Sequence, residues 1–423
     1  MSTTSSKTKP GRVTRALAII SPGLVVAATG VGAGDLATAG FAGAKLGVGL
    51  VWAVALGAFL KFVLNEGLAR WQLATGETIL TGAMTRLGPV VSILFLIYFL
   101  PWSFVVGAAL ISATGVTAAA MAPDLIDDPT RAKLVFGAAH SVVGALLAWF
   151  GGFKLVERVM GVCIAVMFTA VIATAIMLEP DWGAVGLAFV RPTIPEFGSE
   201  GLDWTIALLG GVGGTLTILC YAYWMREAGR DDPERDLRIC RIDLAVAYAM
   251  TALFGVAMLI IASGVEVAGS GVGLILNLAD QLGEALGPAG RWVFLIGAWA
   301  AVFTSLLGVW QAVPYIFADW LAVTRYGRTR AVAIVNTAGL PYRVYLLILA
   351  TVPLLQVVRP FESVQKTYAI IGAAFLPLLA TVLLLLNSRT KWIGDRYRNR
   401  WPSRIILAMT ILAFAIVSWR QLR

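Results

Sequence analysis

Long apolar runs recur from one end of the chain to the other, parted by short polar segments rich in arginine. Read as helices, they fall at roughly 14–40, 46–66, 90–117, 132–150, 155–178, 203–225, 241–263, 291–318, 341–357, 367–387 and 403–420. About 20 apolar residues cross a hydrocarbon core of about 30 Å. The pattern therefore predicts an all-α polytopic membrane protein with about eleven spans, the ninth of them short. The connections 179–202 and 264–290 carry Pro, Gly and Trp and have room for short interfacial helices. Residues 1–12 are polar, rich in Ser and Thr, and expected to be disordered. Residues 13–423 read as a single transmembrane domain. The first apolar run is too long for a cleavable signal peptide and ends in no cleavage-type site.

Composition strengthens this reading. Hydrophobic residues make up 59% of the 423 positions and charged ones 13%, with a mean hydropathy of +0.82. A soluble domain carries about 25% charged residues, so lipid must be the solvent for most of this chain. A net charge of +9 would suggest nucleic acid in a soluble protein. Here the basic residues cluster in short loops (226–241, 325–330 and 389–404), so they argue topology instead, and no nucleic-acid partner is expected. Those loops and the N-terminus fall on one side, which the positive-inside rule makes cytoplasmic. Acidic residues such as Asp124, Asp128, Glu179, Glu200 and Asp203 collect on the other. A bacterial plasma membrane is the expected location. Cys163, Cys220 and Cys240 have no disulfide or zinc spacing, and no nucleophile–base set or phosphate loop marks an enzyme.

Two spans are interrupted by glycine. The first contains Thr29-Gly30-Val31-Gly32-Ala33-Gly34-Asp35, and the sixth contains Gly210-Gly211-Val212-Gly213-Gly214-Thr215-Leu216-Thr217. Each glycine costs a helix about 1 kcal/mol relative to alanine. Unwound backbone at membrane depth persists only where protein or a hydrated cavity satisfies its polar groups. Small residues for close helix packing would explain either cluster alone. Matched breaks in two halves of a chain point instead to a transporter site. A carboxylate at mid-membrane costs about 2.5–3.5 kcal/mol on insertion scales, so Asp35 should face a cavity or a partner. It is a candidate ligand for a hard cation, with backbone oxygens around Gly32 and Gly34 and the hydroxyls of Thr215 or Thr217 completing the shell. The alternatives are that it accepts a proton, or caps a second half-helix starting at Leu36.

At these residues the sequence resembles the NRAMP family of divalent metal transporters. The run from Ser21 to Gly47 lines up without gaps on the family's first helix, and the family's Asp-Pro-Gly-Asn tetrad falls on Gly32, Ala33, Gly34 and Asp35. Echoes follow at Ala69-Arg70, Ala74-Thr75-Gly76, Lys154-Leu155-Val156-Glu157, the Pro180–Pro195 segment and Leu384 to Gly394. The resemblance implies a leucine-transporter-like fold of the APC superfamily, with two inverted five-helix repeats (about 13–178 and 203–387) and an extra helix at about 403–420. It also implies an ion site between the first and sixth spans, with Asp35 and Thr217 as metal ligands.

The departures are informative. The tetrad's aspartate is replaced by Gly32, and its asparagine position carries Asp35. On the sixth span the family's methionine falls on Thr217 and its histidine on Leu219. Thioether sulfur suits softer transition metals, whereas hydroxyl and carboxylate oxygens suit magnesium, calcium or manganese. The family's third helix bears acidic residues tied to proton movement, and the stretch from Phe99 to Thr117 has none, which argues against proton coupling. The pattern resembles the NRAMP-related magnesium transporters, a branch lacking the sulfur ligand.

Other polar residues have structural readings. Lys61 and Glu66 are expected to pair with each other or to snorkel to the interface. His140 reads as a structural histidine, and Tyr221, Tyr223 and Trp224 as packing aromatics. Thr29 and Gln311, with Thr304 and Ser305 nearby, are candidate pathway residues. The expected function is transport of divalent cations, with magnesium or manganese favoured. No cofactor and no obligate protein partner are expected. The alternatives are an amino-acid or amine carrier, with Asp35 pairing with an ammonium, and a non-transporting sensor on the same fold.

Overall fold

The computed structural model describes residues 22–195, 199–230, 232–264, 273–327 and 336–421, and all their regular structure is helical. The first predicted span becomes helix α1 (22–30), a turn at 31–32, a π-helical turn over Ala33–Thr38, and helix α2 (Ala39–Leu46). The predicted second to fifth spans become α3 (Val51–Thr75), α5 (Pro89–Met121), α6 (Pro129–Phe150) and α7 (Gly152–Met177), with a short α4 (Ile79–Arg86) after α3. Residues 1–21, including the tail expected to be disordered, lie outside the described residues.

The connection 179–202 does hold a short helix, α8 (Trp182–Val190), capped by Asp181, whose carboxylate accepts the N–H groups of Gly183 and Ala184. The sixth span becomes α9 (Ser199–Gly211) and α10 (Cys220–Glu227), with a 3₁₀ turn over Leu216–Leu219 between them. Then follow α11 (Pro233–Ala262), the long α12 (Gly273–Tyr326, broken at Gly287), α13 (Leu340–Thr351), α14 (Phe361–Ala373), α15 (Phe375–Leu386), the single-turn α16 (Thr390–Ile393) and α17 (Trp401–Gln421).

Among the described residues, 8 stretches are long and apolar enough to cross a membrane. Four of these, Gly34–Thr75, Glu200–Glu227, Leu274–Tyr326 and Phe361–Leu386, each join successive helices. The predicted ninth and eleventh spans appear as the shorter apolar helices Leu340–Gln356 and Trp401–Ile416. Burial separates centre from rim. In the 18-residue apolar core of Glu200–Glu227, 94% of positions are buried, against 28% in that of Pro129–Phe150, so the broken sixth span forms the axis of the bundle. Rim helices present apolar side chains outward, among them Ile93 and Ile97 of α5, Leu146 of α6 and Met409 of α17. Such surface is stable only against lipid.

His140 is satisfied as a structural residue. Its Nδ1 lies 2.7 Å from the Phe136 carbonyl, and its Nε2 accepts the Trp299 indole N–H at 2.9 Å.

Candidate functional site

The two breaks meet. A Cβ placed on Gly30 would lie 2.6 Å from the carbonyl carbon of Gly213, and one on Gly34 would lie 2.5 Å from the carbonyl oxygen of Gly211. Only hydrogen fits between these backbones. Gly213 and Gly214 have φ of 77° and 85°, the left-handed region that L side chains avoid, and this ends α9 abruptly. The π-helical turn over Ala33–Thr38 packs against α5, α9, α11, α12 and α14, so the joint sits at the centre of the bundle. Single π turns inside helices recur at functional sites, because the wider turn frees backbone groups and re-aims side chains.

Asp35 is 0% exposed. Its Oδ2 accepts the N–H of Gly213 at 3.2 Å. Among the described residues its Oδ1 has no hydrogen-bond partner, and neither has the hydroxyl of Thr38, also fully buried. Both belong to one neighbourhood: a Cβ on Gly211 would lie 3.4 Å from Thr38 Oγ1, and one on Gly255 of α11 would lie 3.4 Å from Asp35 Oδ1. A carboxylate oxygen and a hydroxyl, buried and free to accept, are hard donors suited to a small cation. Among the described residues no group of three or more His, Cys, Asp or Glu side chains could hold a metal.

Lys61 departs from expectation. It is 0% exposed and does not pair with Glu66; its ammonium donates to the carbonyl of Gly210 at 2.7 Å and to that of Val212. Glu66 instead binds Arg70 at 2.7 Å and Arg241 at 2.8 Å. A Cβ on Gly213, whose N–H Asp35 accepts, would lie 3.5 Å from Lys61 Cδ, so the ammonium stem and the carboxylate flank the same residue. Sequence reasoning missed both Lys61 and Thr38.

The remaining candidates surround the joint. A side chain at Gly32 would project toward α12, where its Cβ would fall 1.8 Å from Ser305 Oγ. The family's aspartate position therefore has no room for an aspartate, and Asp35 faces α11 instead. Ser305 Oγ donates to the Thr29 carbonyl at 2.7 Å, while the Thr29 hydroxyl turns back to Val25. Thr215 accepts the Trp102 indole N–H at 3.0 Å. Thr217 is buried beside Gly214, whose Cβ would lie 3.0 Å from Thr217 Oγ1 and 3.4 Å from Gly30 Cα. Gln311, one turn beyond Gly308, accepts the Trp224 indole N–H at 2.9 Å.

Polar contacts tie the helices together at both ends of the bundle. At the arginine-rich end, Asp243 accepts from Arg230 at 2.6 Å, from the Tyr221 hydroxyl at 2.9 Å and from the backbone N–H of Gly23 at 2.9 Å. Beside it, Asp319 accepts from Tyr223 at 2.6 Å and from Thr78 at 2.9 Å. Tyr221, Tyr223 and Trp224 thus grip buried acceptors, a more specific role than packing. At the opposite end, Lys45 bridges Glu200 and Glu362, each at 2.8 Å, and Lys366 pairs with Asp203 at 2.9 Å. Both ammonium groups lie over the Trp204 ring.

Comparison with known proteins fits this geometry. The family model described as natural resistance-associated macrophage protein-like (Nramp) matches residues 23–422. A protein of Acidiphilium cryptum named divalent metal cation transporter MntH is 24% identical, covering 69% of this chain and 67% of its own length. The protein of the same name from Agrobacterium fabrum is 25% identical, covering 97% and 89%. Among solved structures, a mutant of the Eremococcus coleocola manganese transporter superposes with a TM-score of 0.74 at 15% identity, covering 98% of this chain and 88% of that one. MhsT in complex with L-phenylalanine gives 0.63 at 16% identity, covering 98% and 99%. Both likenesses establish the leucine-transporter-like fold.

Proposed function

The chain belongs to the Nramp family, and on that footing we propose that it carries divalent metal cations across a membrane through the joint between its two broken spans. The observation that carries the reading is Asp35, a buried carboxylate held by one oxygen at the crossing of two helix breaks, with the other oxygen unpartnered among the described residues. Asp35 is the charged ligand, and neutral oxygens complete the shell. Thr38 joins the set beside the Gly32–Gly34 backbone and Thr215, with Thr217 lining the other side of the joint. Thr29 and Gln311 stand along α1 and α12 on the route from the arginine-rich end.

The donor set is oxygen throughout, which favours magnesium or manganese over softer metals. The buried polar residues of α5 are Ser103, Ser112, Thr114 and Thr117, none of them a carboxylate, and this supports transport uncoupled from protons. The arginine-rich end faces the cytoplasm in this reading, by the positive-inside rule, and the membrane is the bacterial plasma membrane. The two halves on either side of 179–202 act as inverted repeats that rock about the joint. No cofactor or partner protein is invoked.

The deciding experiment is flux into proteoliposomes. Asp35→Ala should abolish magnesium and manganese uptake while the purified protein stays folded and keeps its helix content, with a melting temperature lowered by the loss of the Gly213 contact. Unchanged uptake in that variant would remove Asp35 from the site.

A further inference from the structure

The second buried charge at the joint has its own consequence. Lys61 stands near the middle of α3 and donates to the carbonyls of Gly210 and Val212, the last ones before the sixth span breaks. Carbonyls at the end of a helix lack donors from a following turn and must find them elsewhere. In broken membrane helices such carbonyls commonly coordinate a cation. Here an ammonium on a flexible four-carbon stem does so. Gly213, next after Val212, holds Asp35 Oδ2, so the ammonium and the carboxylate share one short stretch of backbone.

We propose that Lys61 is a tethered counter-cation. With no cargo at the joint, its ammonium fills the carbonyl positions of Gly210 and Val212 and balances the charge of Asp35; a divalent cation binds there by displacing it. The inference rests on the reading of Asp35 as cation ligand and deepens it by naming the group with which the cation competes.

Three observations support this. One carboxylate and one ammonium make the joint neutral, and two further positive charges beside the ammonium would be repelled strongly in so buried a place. Lysine is a point charge that can leave its acceptors by rotation of its stem, unlike the planar fork of arginine. Finally, Asp35 Oδ1 and Thr38 Oγ1 lie buried without partners among the described residues, ready for an ion that takes over the neutralising role. The affinity of the site is then lower than an unopposed carboxylate would give, and release is correspondingly faster.

The test uses the full-length purified protein, with manganese as the probe, followed by thermal-shift titration and by flux. Lys61→Met removes the charge at similar length; Lys61→Gln also removes it but keeps an N–H donor for the carbonyls, in case the methionine variant folds poorly. Both should bind manganese at least roughly fivefold more tightly than the unaltered protein. Both should also melt lower in chelator and gain more from manganese. Folded variants with equal or weaker manganese affinity would overturn the proposal and make Lys61 a fixed strut. Asp35→Ala separates the two levels. If the unaltered protein responds to manganese and Asp35→Ala does not, unchanged lysine variants sink only the tethered cation. If the unaltered protein neither binds nor carries manganese or magnesium, the transport reading fails and this inference fails with it.

Discussion

The backbone N–H of Gly213 donates to Asp35 Oδ2 at 3.2 Å, so the carboxylate of one broken span caps the break of the other. The two interruptions are therefore a single structural unit. Neither could straighten into helix without disturbing its partner.

That unit depends on the absence of side chains at the crossing. Gly30→Ala would drive a Cβ to 2.6 Å from the Gly213 carbonyl carbon, which is backbone and cannot rotate away. Overpacking of this kind costs about 1–3 kcal/mol. The expected outcome is a folded protein with a lowered melting temperature and little or no flux, because the breaks are pushed apart. A variant that transports normally would show that the crossing is looser than these distances require.

The fastening at the arginine-rich end hangs on Asp243. Its side chain is 0% exposed and that of Arg230 is 5% exposed, and the same carboxylate holds the backbone N–H of Gly23 at the start of α1. Removing one partner of a buried ion pair costs about 3–5 kcal/mol. Asp243→Asn should lower the melting temperature markedly and raise hydrogen exchange along residues 22–30, measured by mass spectrometry. Tyr221→Phe, which loses one neutral donor, should cost about 1 kcal/mol. Exchange in α1 that does not change in Asp243→Asn would detach this carboxylate from the opening of that end.

Selectivity should respond to sulfur. Thr217→Met places a thioether where the family carries one, in a side chain flexible enough to fill an irregular gap. Competition of cadmium against magnesium uptake should shift toward cadmium, since soft ligands favour soft metals. An unaltered competition curve would place Thr217 away from the bound ion.

Much of the fold was legible because span length and loop charge are properties of local sequence. The short helix after Asp181 and both glycine breaks were readable for the same reason. Lys61 was not. A lone lysine in an apolar run looks like a snorkelling residue, and its acceptors are backbone carbonyls 149 and 151 positions away, which leave no mark in side-chain identity. Thr38 was missed because a threonine three residues past Asp35 looks like ordinary helix interior until the π turn re-aims it. Gly32 illustrates the opposite limit. Alignment made it an empty ligand position, but the proximity of Ser305 shows that no longer side chain fits there.

The two ends of the bundle are fastened differently. Asp243 and Arg230 are shielded from solvent, whereas the side chains of Lys45 and Glu200 are 30% and 50% exposed. Dissolved electrolyte screens exposed pairs far more than buried ones. A resting carrier bathed in brine would therefore drift toward opening at its lysine end, while the arginine end stayed latched. The mineral strength of the surroundings is then expected to act on the cycle, loosening the lysine end before the buried Asp243–Arg230 pair gives way.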